Sequence, residues 1–437
     1  MIKVLKFGGS SLADAGQFRK VADIIKSEES RRYVVASAPG KRNSYDTKVT
    51  DMLLQCYELS AEKQNFDEIF NKVKDRYNEI ISDLGVELSL EEDYQNIKFA
   101  LLNHVGRDYI ASRGEFLNSK ILAKYIGFQF VDAAEGVFFF ENGNFDSEKT
   151  NTIMQKILSK YEYAVIPGFY GSMPNGTIKT FSRGGSDITG SIVARAVGAD
   201  LYENWTDVSG MLMADPRCVE NPKPIEEITY SELRELSYMG ASVMHEDAIF
   251  PVRKAGIPIN IRNTNRPEDN GTMIVPKASN PSSPNVITGV AGKKGFTAIF
   301  VEKDMMNSEV GFGRKVLSVI ENHGVCFEHL PSGIDTMSVI VNSADIRPIK
   351  GNITAELVKI VDPDSITLFE NLALIAVVGR GMIRTEGTAM RIFTALANAH
   401  VNIRMIDQGS SELNIIIGIE EHDYEKALNA IYSEFVK

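Results

Sequence analysis

The sequence contains few cysteines, few histidines and no excess of positive charge. Its 437 residues include three cysteines and six histidines. The cysteines lie far apart without a Cys-x-x-Cys pair, and the histidines lack metal-binding spacing, so the sequence offers no structural zinc site and suits a reducing compartment. The formal net charge is −11 and no basic stripe is present, which argues against a nucleic-acid partner. We therefore expect a small molecule as the partner.

Long hydrophobic runs are also missing. The longest apolar run covers residues 372–378, whereas about 20 residues are needed to span a bilayer. The N-terminus carries no apolar targeting segment. With 43% hydrophobic and 24% charged residues, the composition is typical of a globular protein with two or three domains. We therefore expect a cytoplasmic protein that has no membrane segment.

Two common nucleotide-binding motifs are absent as well. No Gly-x-x-x-x-Gly-Lys-Ser/Thr sequence occurs, which excludes a P-loop enzyme. Gly379-Arg380-Gly381 begins like a dinucleotide-binding fingerprint, but Arg384 stands where the third glycine is required. A nucleotide site in this chain must therefore use other residues.

The sequence does contain a glycine turn directly after its first apolar run. Lys6 is followed closely by Gly8, Gly9 and Ser10. Glycine lets the chain turn with its amide groups bare, and the lysine adds a positive charge, so this turn is suited to hold phosphate. Apolar spacing predicts a helix over residues 12–26, with its N-terminus directed at the same spot. Because such turns also occur for steric reasons alone, the motif requires support from later residues.

A second glycine turn follows a predicted strand over residues 177–181. It contains Arg183, two glycines, Ser186 and Asp187, and a predicted helix then covers residues 188–199. The planar guanidinium of Arg183 suits a carboxylate or a phosphate. Asp187 has two possible roles: it caps the helix, or it helps to hold Mg²⁺ near phosphates.

Two further positions are candidates for ligand contact. Thr50 and Asp51 lie at the end of a polar loop, where either would serve as a helix N-cap, although α/β proteins also bind ligands at such loops. Glu115 follows Gly114 inside a predicted helix over residues 108–123. A glycine inside a helix costs about 1 kcal/mol relative to alanine, so either another group approaches closely there or the helix begins there.

Polar residues also follow a predicted strand over residues 201–205. They are Thr206 and Asp207, with Asp215 and Arg217 farther along the chain. Glycine turns, a lysine, arginines and acids at strand ends are the groups that a phosphoryl-transfer site needs. By contrast, the amphipathic stretch at residues 61–99 is interpreted as helical with a solvated charged face.

Taken together, these motifs resemble those of aspartate kinases, in the amino acid kinase superfamily. The motifs are Lys6-Phe7-Gly8-Gly9-Ser10-Ser11, Ser112-Arg113-Gly114-Glu115, Ser182-Arg183-Gly184-Gly185-Ser186-Asp187, Trp205-Thr206-Asp207-Val208 and Asp215-Pro216-Arg217. The resemblance implies a three-layer α/β/α fold with a mostly parallel sheet, followed by two α+β ACT domains of the ferredoxin-like βαββαβ type. It also implies transfer of the γ-phosphoryl group of ATP, with Mg²⁺, to L-aspartate.

The resemblance further implies roles for individual residues. Lys6 and Asp187 would be catalytic, and no protein group is assigned as a direct metal ligand. Thr50, Glu115, Arg183 and Ser186 would bind aspartate, with Arg183 on its α-carboxylate and Glu115 on its ammonium group. The nucleotide would contact Lys6, Gly8, Gly9, Ser10, Thr206, Asp207, Asp215 and Arg217.

One departure from the family pattern lies at Ser242. Several members have Gly-Ala-Lys before Val-Leu-His, whereas this chain has Gly240-Ala241-Ser242-Val243-Met244-His245. The sequence leaves open which side chain replaces that lysine at the nucleotide.

The C-terminal third has linker composition at its start and then a repeated pattern. We expect a catalytic domain at residues 1–280, a linker at 281–292 and a regulatory region at 293–437. Two units of strand, helix and two strands recur there, and a C-terminal helix follows at residues 423–435. They resemble two ACT domains, the first at about 304–368 and the second at about 369–437 together with the strand near 296–302.

ACT pairs imply an amino-acid effector and a homodimer formed through these domains, with a tetramer as the alternative. Asn307, Ser308, Phe312, Phe327 and Glu328 would lie near the effector. The structural alternatives are that both phenylalanines are core residues and that Ser308 only caps a helix. By analogy, lysine is the favoured effector and threonine the second.

Two other functions stay open at this point. One is a related kinase acting on glutamate or on an acetylated amino acid, and the other is an amino-acid-binding regulator that has lost catalysis. We expect no homoserine dehydrogenase domain fused to this chain. The favoured interpretation is a lysine-sensitive aspartate kinase that catalyses the first step of lysine, threonine and methionine biosynthesis.

Overall fold

The computed structural model describes residues 1–182, 184–241, 244, 246–279 and 285–436. The chain divides into two units. The first unit comprises Met1–Met211, Pro224–Tyr230 and the described residues of 243–278. The second unit comprises Leu212–Lys223 and the described residues of 231–242 and 279–437. The domain boundaries expected from the sequence stay a prediction.

The helices and strands are numbered along the chain. Up to residue 275 they are β1 (Lys3–Phe7), α1 (Ala15–Lys26), β2 (Arg31–Ala36), α2 (Val49–Ala61), α3 (Asp67–Leu84), α4 (Glu91–Leu102), α5 (Arg107–Ile126), β3 (Gln129–Phe130), α6 (Ala133–Gly136), α7 (Ser147–Leu158), β4 (Ala164–Pro167), β5 (Tyr170–Ser172), β6 (Ile178–Thr180), α8 (Gly185–Val197), β7 (Leu201–Thr206), β8 (Glu227–Thr229), α9 (Tyr230–Tyr238), α10 (Phe250–Ala255), β9 (Ile259–Asn263) and β10 (Thr272–Val275).

The remaining elements belong to the second unit. They are β11 (Gly289–Glu302), α11 (Phe312–Asn322), β12 (Phe327–His329), β13 (Thr336–Asn342), α12 (Ser343–Ile346), α13 (Lys350–Val361), β14 (Ser365–Val378), α14 (Thr388–Asn398), β15 (Ile403–Asp407), β16 (Asn414–Glu420) and α15 (Tyr424–Phe435).

The first unit is built on an eight-stranded sheet in the order β3-β4-β2-β1-β7-β9-β10-β8. The first six strands of this order, β3, β4, β2, β1, β7 and β9, are parallel to one another. The next strand, β10, runs antiparallel to β9. The carboxyl ends of β1, β2, β4 and β7 therefore lie along one edge of the sheet. Strand β1 has β2 as its neighbour on one side and β7 as its neighbour on the other, so the strand order changes direction at β1. Proteins of the α/β class bind ligands at such a switch point.

The two faces of this sheet carry different helices. Leu5 and Phe7 of β1 are fully buried in a core that includes residues of helices α1 to α5. Successive side chains of a strand point to opposite faces, so Lys6 points to the other face, where its ammonium group contacts Asp187 of α8. The mostly parallel sheet between helical layers agrees with the predicted architecture.

Several helix starts differ from the sequence prediction. A short 3₁₀ turn at Gly9–Leu12 precedes α1, and the Asp14 side chain caps the helix by accepting the Gln17 amide at 2.9 Å. The predicted start of this helix at residue 12 is therefore wrong. Helix α2 begins after Lys48, without a side-chain cap, so neither Thr50 nor Asp51 is the N-cap.

Helix α8 also starts earlier than predicted. It begins at Gly185, and Gly184 is its N-cap with a φ of 57°. Only glycine adopts this left-handed conformation at little cost. Asp187 therefore lies inside the first turn, and its predicted role as an N-cap is wrong.

The second unit contains a six-stranded antiparallel sheet in the order β12-β13-β11-β14-β16-β15. The long strands β11 and β14 lie at its centre. Strand β11 pairs with β13 of the first repeat and with β14 of the second. Two successive strand-helix-strand-strand-helix repeats thus share one sheet, in agreement with the predicted pair of α+β modules.

None of the helices within the described residues has the length and apolar character needed to cross a membrane.

Candidate active site

A buried ion pair lies at the carboxyl end of the central strand β1. The Lys6 ammonium nitrogen is 2.6 Å from Oδ1 of Asp187, and the two side chains are 10% and 16% exposed. The amide nitrogen of Asn204, on the adjacent strand β7, donates to the same oxygen at 2.9 Å. Strand β1, strand β7 and helix α8 therefore each contribute one group to this cluster.

The glycine turn after β1 packs tightly against the loop after β2. The Gly40 amide donates to the Gly9 carbonyl at 2.8 Å. A Cβ atom added to Gly9 would lie 2.9 Å from the Ala38 carbonyl oxygen, and one added to Gly40 would lie 2.6 Å from the Gly9 carbonyl carbon. This close approach requires glycine at positions 9 and 40, so Gly9 of the first glycine turn has a second reason besides phosphate binding.

The same loop approaches helix α5 at Gly114. A Cβ atom on Gly114 would lie 2.9 Å from the Ala38 Cβ and 3.5 Å from the Thr50 hydroxyl. The prediction that another group approaches the Gly114 backbone closely is confirmed. This packing places Glu115, the residue after Gly114, close to Thr50 and to the loop after β2.

The Glu115 carboxyl group is buried and incompletely paired. Its residue is 6% exposed, and among the described residues its Oε2 has no hydrogen-bond partner. Burial raises the pKa of this carboxyl from 4.5 to about 8, although the Ala38 backbone amide lowers it in part. A ligand that carries positive charge would compensate the cost of ionising this group.

Two neighbours of Glu115 on the same helix face also have polar atoms without partners among the described residues. They are Oδ1 of Asn118, whose amide nitrogen donates to the Ser37 carbonyl at 2.7 Å, and Oγ of Ser119. The sequence analysis missed both. Their spacing of three and four residues from Glu115, on a helix that is otherwise largely apolar on that side, was the available signal.

Ser186 lies beside the turn that follows β4. A Cβ atom on Gly168 would lie 2.6 Å from the Ser186 hydroxyl, and the Gly168 amide donates to the Ala36 carbonyl at 3.0 Å. Ser186 and Asp187 are therefore placed at the same edge of the sheet as the end of β2.

Arg76 on α3 is a second group that the sequence analysis missed. It is 4% exposed, and it donates to the Gly40 carbonyl at 2.9 Å and to Asp46 at 2.6 Å. Its Nε and Nη1 have no partner among the described residues. The interpretation of the 61–99 charges as a solvated face is wrong for this arginine, which anchors the loop after β2.

Besides Lys6 and the glycine turn, the residues proposed for the nucleotide fall into two groups. Thr206 ends β7, and its hydroxyl donates to the exposed Asp207 at 3.3 Å. Asp215 and Arg217 belong to the second unit and bind each other at 2.6 Å. The hydrogen bond from Arg217 lowers the pKa of the Asp215 carboxyl.

Two predicted positions, Arg183 and Ser242, lie outside the described residues, as do residues 281–284 of the predicted linker. Among the described residues, no cluster of three or more His, Cys, Asp or Glu side chains could hold a metal ion.

The residues predicted near the effector lie in the second unit's first repeat. Asn307 and Ser308 lie in a 3₁₀ turn, and Gly311 is the N-cap of α11, so the interpretation of Ser308 as the cap is wrong. Phe312 is 3% exposed, as expected for a core residue. Phe327 is 47% exposed on the edge strand β12, so its interpretation as core is wrong. Glu328 is the next residue on that strand and is partly buried.

Comparison with known proteins agrees with this arrangement. A model of the amino acid kinase family matches residues 1–263, and an ACT domain model matches residues 375–435. Aspartokinase 3 of Bacillus subtilis is 40% identical over 449 residues, which cover 99% of this chain and 98% of that protein.

Solved structures of aspartate kinases are also similar to this chain. The aspartate kinase of Clostridium acetobutylicum is 53% identical, covers 99% of this chain and 100% of its own, and superposes with a TM-score of 0.94. Aspartokinase III of E. coli, at 23% identity, shares the fold with a TM-score of 0.78 over the full length of both chains. The chain therefore belongs to the amino acid kinase family, as an aspartate kinase with a regulatory ACT domain.

Proposed function

We propose that this chain transfers the γ-phosphoryl group of ATP to the side-chain carboxylate of L-aspartate, producing 4-phospho-L-aspartate and ADP. This reaction would be the first step of lysine, threonine and methionine biosynthesis. The observation that carries the proposal is the Lys6–Asp187 pair beside a glycine turn, at the edge of the sheet to which Glu115 also contributes through the Ala38 loop. Aspartokinase III of E. coli has been solved in complex with aspartate and ADP, which supports the proposed substrates.

Lys6 would stabilise the negative charge of the transferring phosphoryl group. An oxygen of the aspartate side chain attacks the γ-phosphorus, forming one P–O bond, and the bond from that phosphorus to the β–γ bridging oxygen breaks. The attacking carboxylate is already ionised near neutral pH. Alignment and charge neutralisation therefore contribute more than a general base would.

Asp187 fits a role in holding Mg²⁺ with the phosphates. Both described contacts to its carboxylate use Oδ1, which leaves the other oxygen available. Proteins commonly bind this ion through one or two carboxylates together with substrate phosphates, so a larger protein cluster is not required. When bound, Mg²⁺ would neutralise phosphate charge.

Glu115 would bind the ammonium group of aspartate. Its unpartnered Oε2 and the cost of burying its charge both favour a cationic ligand at this position. Thr50 and Ser186 would help to seat the substrate, and the sequence motif assigns the α-carboxylate to Arg183. The contact between Glu115 and the ammonium group would distinguish aspartate from substrates that lack a free amino group.

The nucleotide would be bound by the turn after β1 and by residues after β7. We assign Gly8, Gly9, Ser10, Thr206 and Asp207 to this role on the basis of their position at the switch point of the sheet. Asp215 and Arg217 are included from the sequence motif.

Lysine is the proposed feedback inhibitor, with threonine as the alternative. Aspartokinase III of E. coli has also been solved with lysine and aspartate, in a state described as T. The residues proposed to bind the effector are Asn307, Ser308, Phe312, Phe327 and Glu328. We further propose a homodimer formed through the ACT domains, with a tetramer as the alternative, because the edge strand β12 exposes Phe327 beside an apolar groove of about 560 Å³.

The reaction is tested by trapping the acyl phosphate with hydroxylamine in the presence of ATP, Mg²⁺ and L-aspartate. We expect aspartate-dependent hydroxamate, and we expect Lys6→Met to lower kcat by about a thousandfold, since it removes a charge that stabilises the transition state. Lys26→Met, at the solvated end of α1, is the matched control. Full activity of Lys6→Met, or turnover only with glutamate or its derivatives, would overturn the proposal.

Regulation is tested in the same assay with lysine, threonine or both. Inhibition by lysine alone supports the favoured effector. Inhibition only by threonine, or no inhibition by either, contradicts it.

A further inference from the structure

Asn204 is a buried amide in the middle of the parallel sheet, at a position where the sequence showed no motif. It is 3% exposed, and its register partners are Lys6 on β1 and Ile261 on β9. A buried amide is costly unless it forms hydrogen bonds. The hydrogen-bond partner of the Asn204 amide nitrogen therefore indicates why this amide is buried here.

That partner is the carboxylate of Asp187. The Asn204 amide nitrogen donates to Oδ1 at 2.9 Å, and the Lys6 ammonium nitrogen lies 2.6 Å from the same oxygen. Two residues earlier on β7, the Tyr202 hydroxyl donates to the Asp187 backbone carbonyl at 3.2 Å. Strand β7 thus holds both the backbone and the side chain of Asp187.

We propose that Asn204 is a positioning residue for phosphoryl transfer. By holding Oδ1 of Asp187 next to Lys6, it fixes the rotamer of the carboxylate and leaves the second oxygen available to the metal-phosphate group. This inference rests on the proposed roles of Lys6 and Asp187.

The chemistry of asparagine suits this task. Its neutral amide donates a hydrogen bond to Asp187 without adding charge, so it does not compete with Asp187 for the ammonium of Lys6. A carboxylate at position 204 would repel Asp187 and compete for Lys6. An apolar side chain would leave Asp187 with Lys6 as its partner and with a carboxylate free to rotate.

The test compares Asn204→Leu and Asn204→Asp with Asn260→Leu. Asn260 is a suitable control because it is a buried asparagine on the neighbouring strand β9, in register with Glu203. The assays are kcat, the KM for aspartate, and the Kd of ADP with and without Mg²⁺, followed through the fluorescence of Trp205, the chain's single tryptophan.

We expect Asn204→Leu to lower kcat by about 10- to 100-fold, because misplacement of a catalytic group by about 1 Å has an effect of that size. The KM for aspartate should stay within about threefold, since the substrate-binding groups are unchanged. The gain in ADP affinity on adding Mg²⁺ should shrink in Asn204→Leu but not in Asn260→Leu. Asn204→Asp should be at least as impaired as Asn204→Leu.

Unchanged kcat and an unchanged effect of Mg²⁺ in a folded Asn204→Leu protein would overturn the inference. Failure of both Asn204 variants to fold would assign the residue to stability alone and would overturn it as well. The variant Asp187→Asn distinguishes a failure of the role proposed for Asn204 from a failure of the role proposed for Asp187. If Asp187→Asn is inactive while Asn204→Leu is fully active, only the role of Asn204 fails; if Asp187→Asn is fully active, the proposed role of Asp187 fails.

Discussion

Replacing Glu115 with glutamine should remove a pH dependence from both substrate binding and stability. In the ligand-free protein, burial raises the pKa of this carboxyl from 4.5 to about 8. If the ionised form binds the ammonium group of aspartate, the enzyme must release a proton from Glu115 before or during binding at any pH below about 8. Glutamine has nearly the same shape but does not titrate.

The size of the effect follows from the change in pKa. At about 1.4 kcal/mol per pH unit, a rise from 4.5 to about 8 corresponds to about 5 kcal/mol. Below pH 4.5 both the folded and unfolded states hold the proton, so there is no penalty. As the pH rises toward 8, only the folded state retains the proton, and the unfolded state is favoured by about 1.4 kcal/mol per pH unit. Between pH 6 and pH 8, wild type should therefore lose about 2 kcal/mol that Glu115→Gln retains, because the slope declines as Glu115 of the folded state begins to ionise near pH 8.

Two assays measure these effects. For wild type, kcat/KM for aspartate should rise about tenfold per pH unit from pH 6 and level off above about pH 8. Glu115→Gln should have a lower kcat/KM and no such slope. Urea unfolding of the ligand-free proteins, followed by Trp205 fluorescence, should show the difference in stability between pH 6 and pH 8.

The reasoning is refuted if Glu115→Gln keeps the wild-type slope, because another group would then be titrating. It is also refuted if wild-type kcat/KM is flat from pH 6 to pH 8, since Glu115 would then already be ionised. Glu92→Gln, at an exposed position of α4, serves as a carboxylate-to-amide control.

Three further outcomes follow from the packing. Gly9→Ala should lower kcat at least tenfold, because its Cβ would lie 2.9 Å from a backbone oxygen of the neighbouring loop; unchanged kinetics would contradict this contact. Arg76→Leu should raise the KM for aspartate, because it removes the hydrogen bond to the Gly40 carbonyl at 2.9 Å, and limited proteolysis should then cut that loop faster; wild-type KM and cleavage would count against the role. In the second unit, Arg380→Met should lower the free energy of unfolding by about 3 kcal/mol, because it removes the 2.8 Å ion pair between Arg380 and the fully buried Glu232, and an unchanged urea midpoint would disprove this.

The segment around Arg380 shows that glycines which resemble a ligand-binding motif can have a purely structural use. In the sequence, Gly379-Arg380-Gly381 is an incomplete dinucleotide fingerprint, and its spacing indicates no other use. In the structure, a Cβ atom on Gly379 would lie 2.5 Å from the Ile287 Cα, and the Arg380 guanidinium pairs with Glu232. The glycines serve close backbone approach, which depends on a segment about 90 residues earlier and is invisible to a local pattern.

Local patterns by themselves determined much of this protein. Strand β1 ends where Gly8 interrupts the apolar run, as predicted, and the C-terminal helix expected at residues 423–435 is present as α15 at Tyr424–Phe435. These features depend on periodicity and on turn residues, which act over a few positions of the chain. The order of motifs was likewise sufficient to indicate the family, because it is a property of the sequence alone.

Only the tertiary structure decided how the groups at the site are held. Asn204 meets Asp187 because β7 is placed beside β1, and Arg76 meets the Gly40 carbonyl because α3 packs against the loop after β2. Neither residue has a local signal, since a buried polar side chain is selected by a partner distant in sequence. The unusual pKa of Glu115 has the same origin, because its cause is burial, and burial depends on which elements pack together.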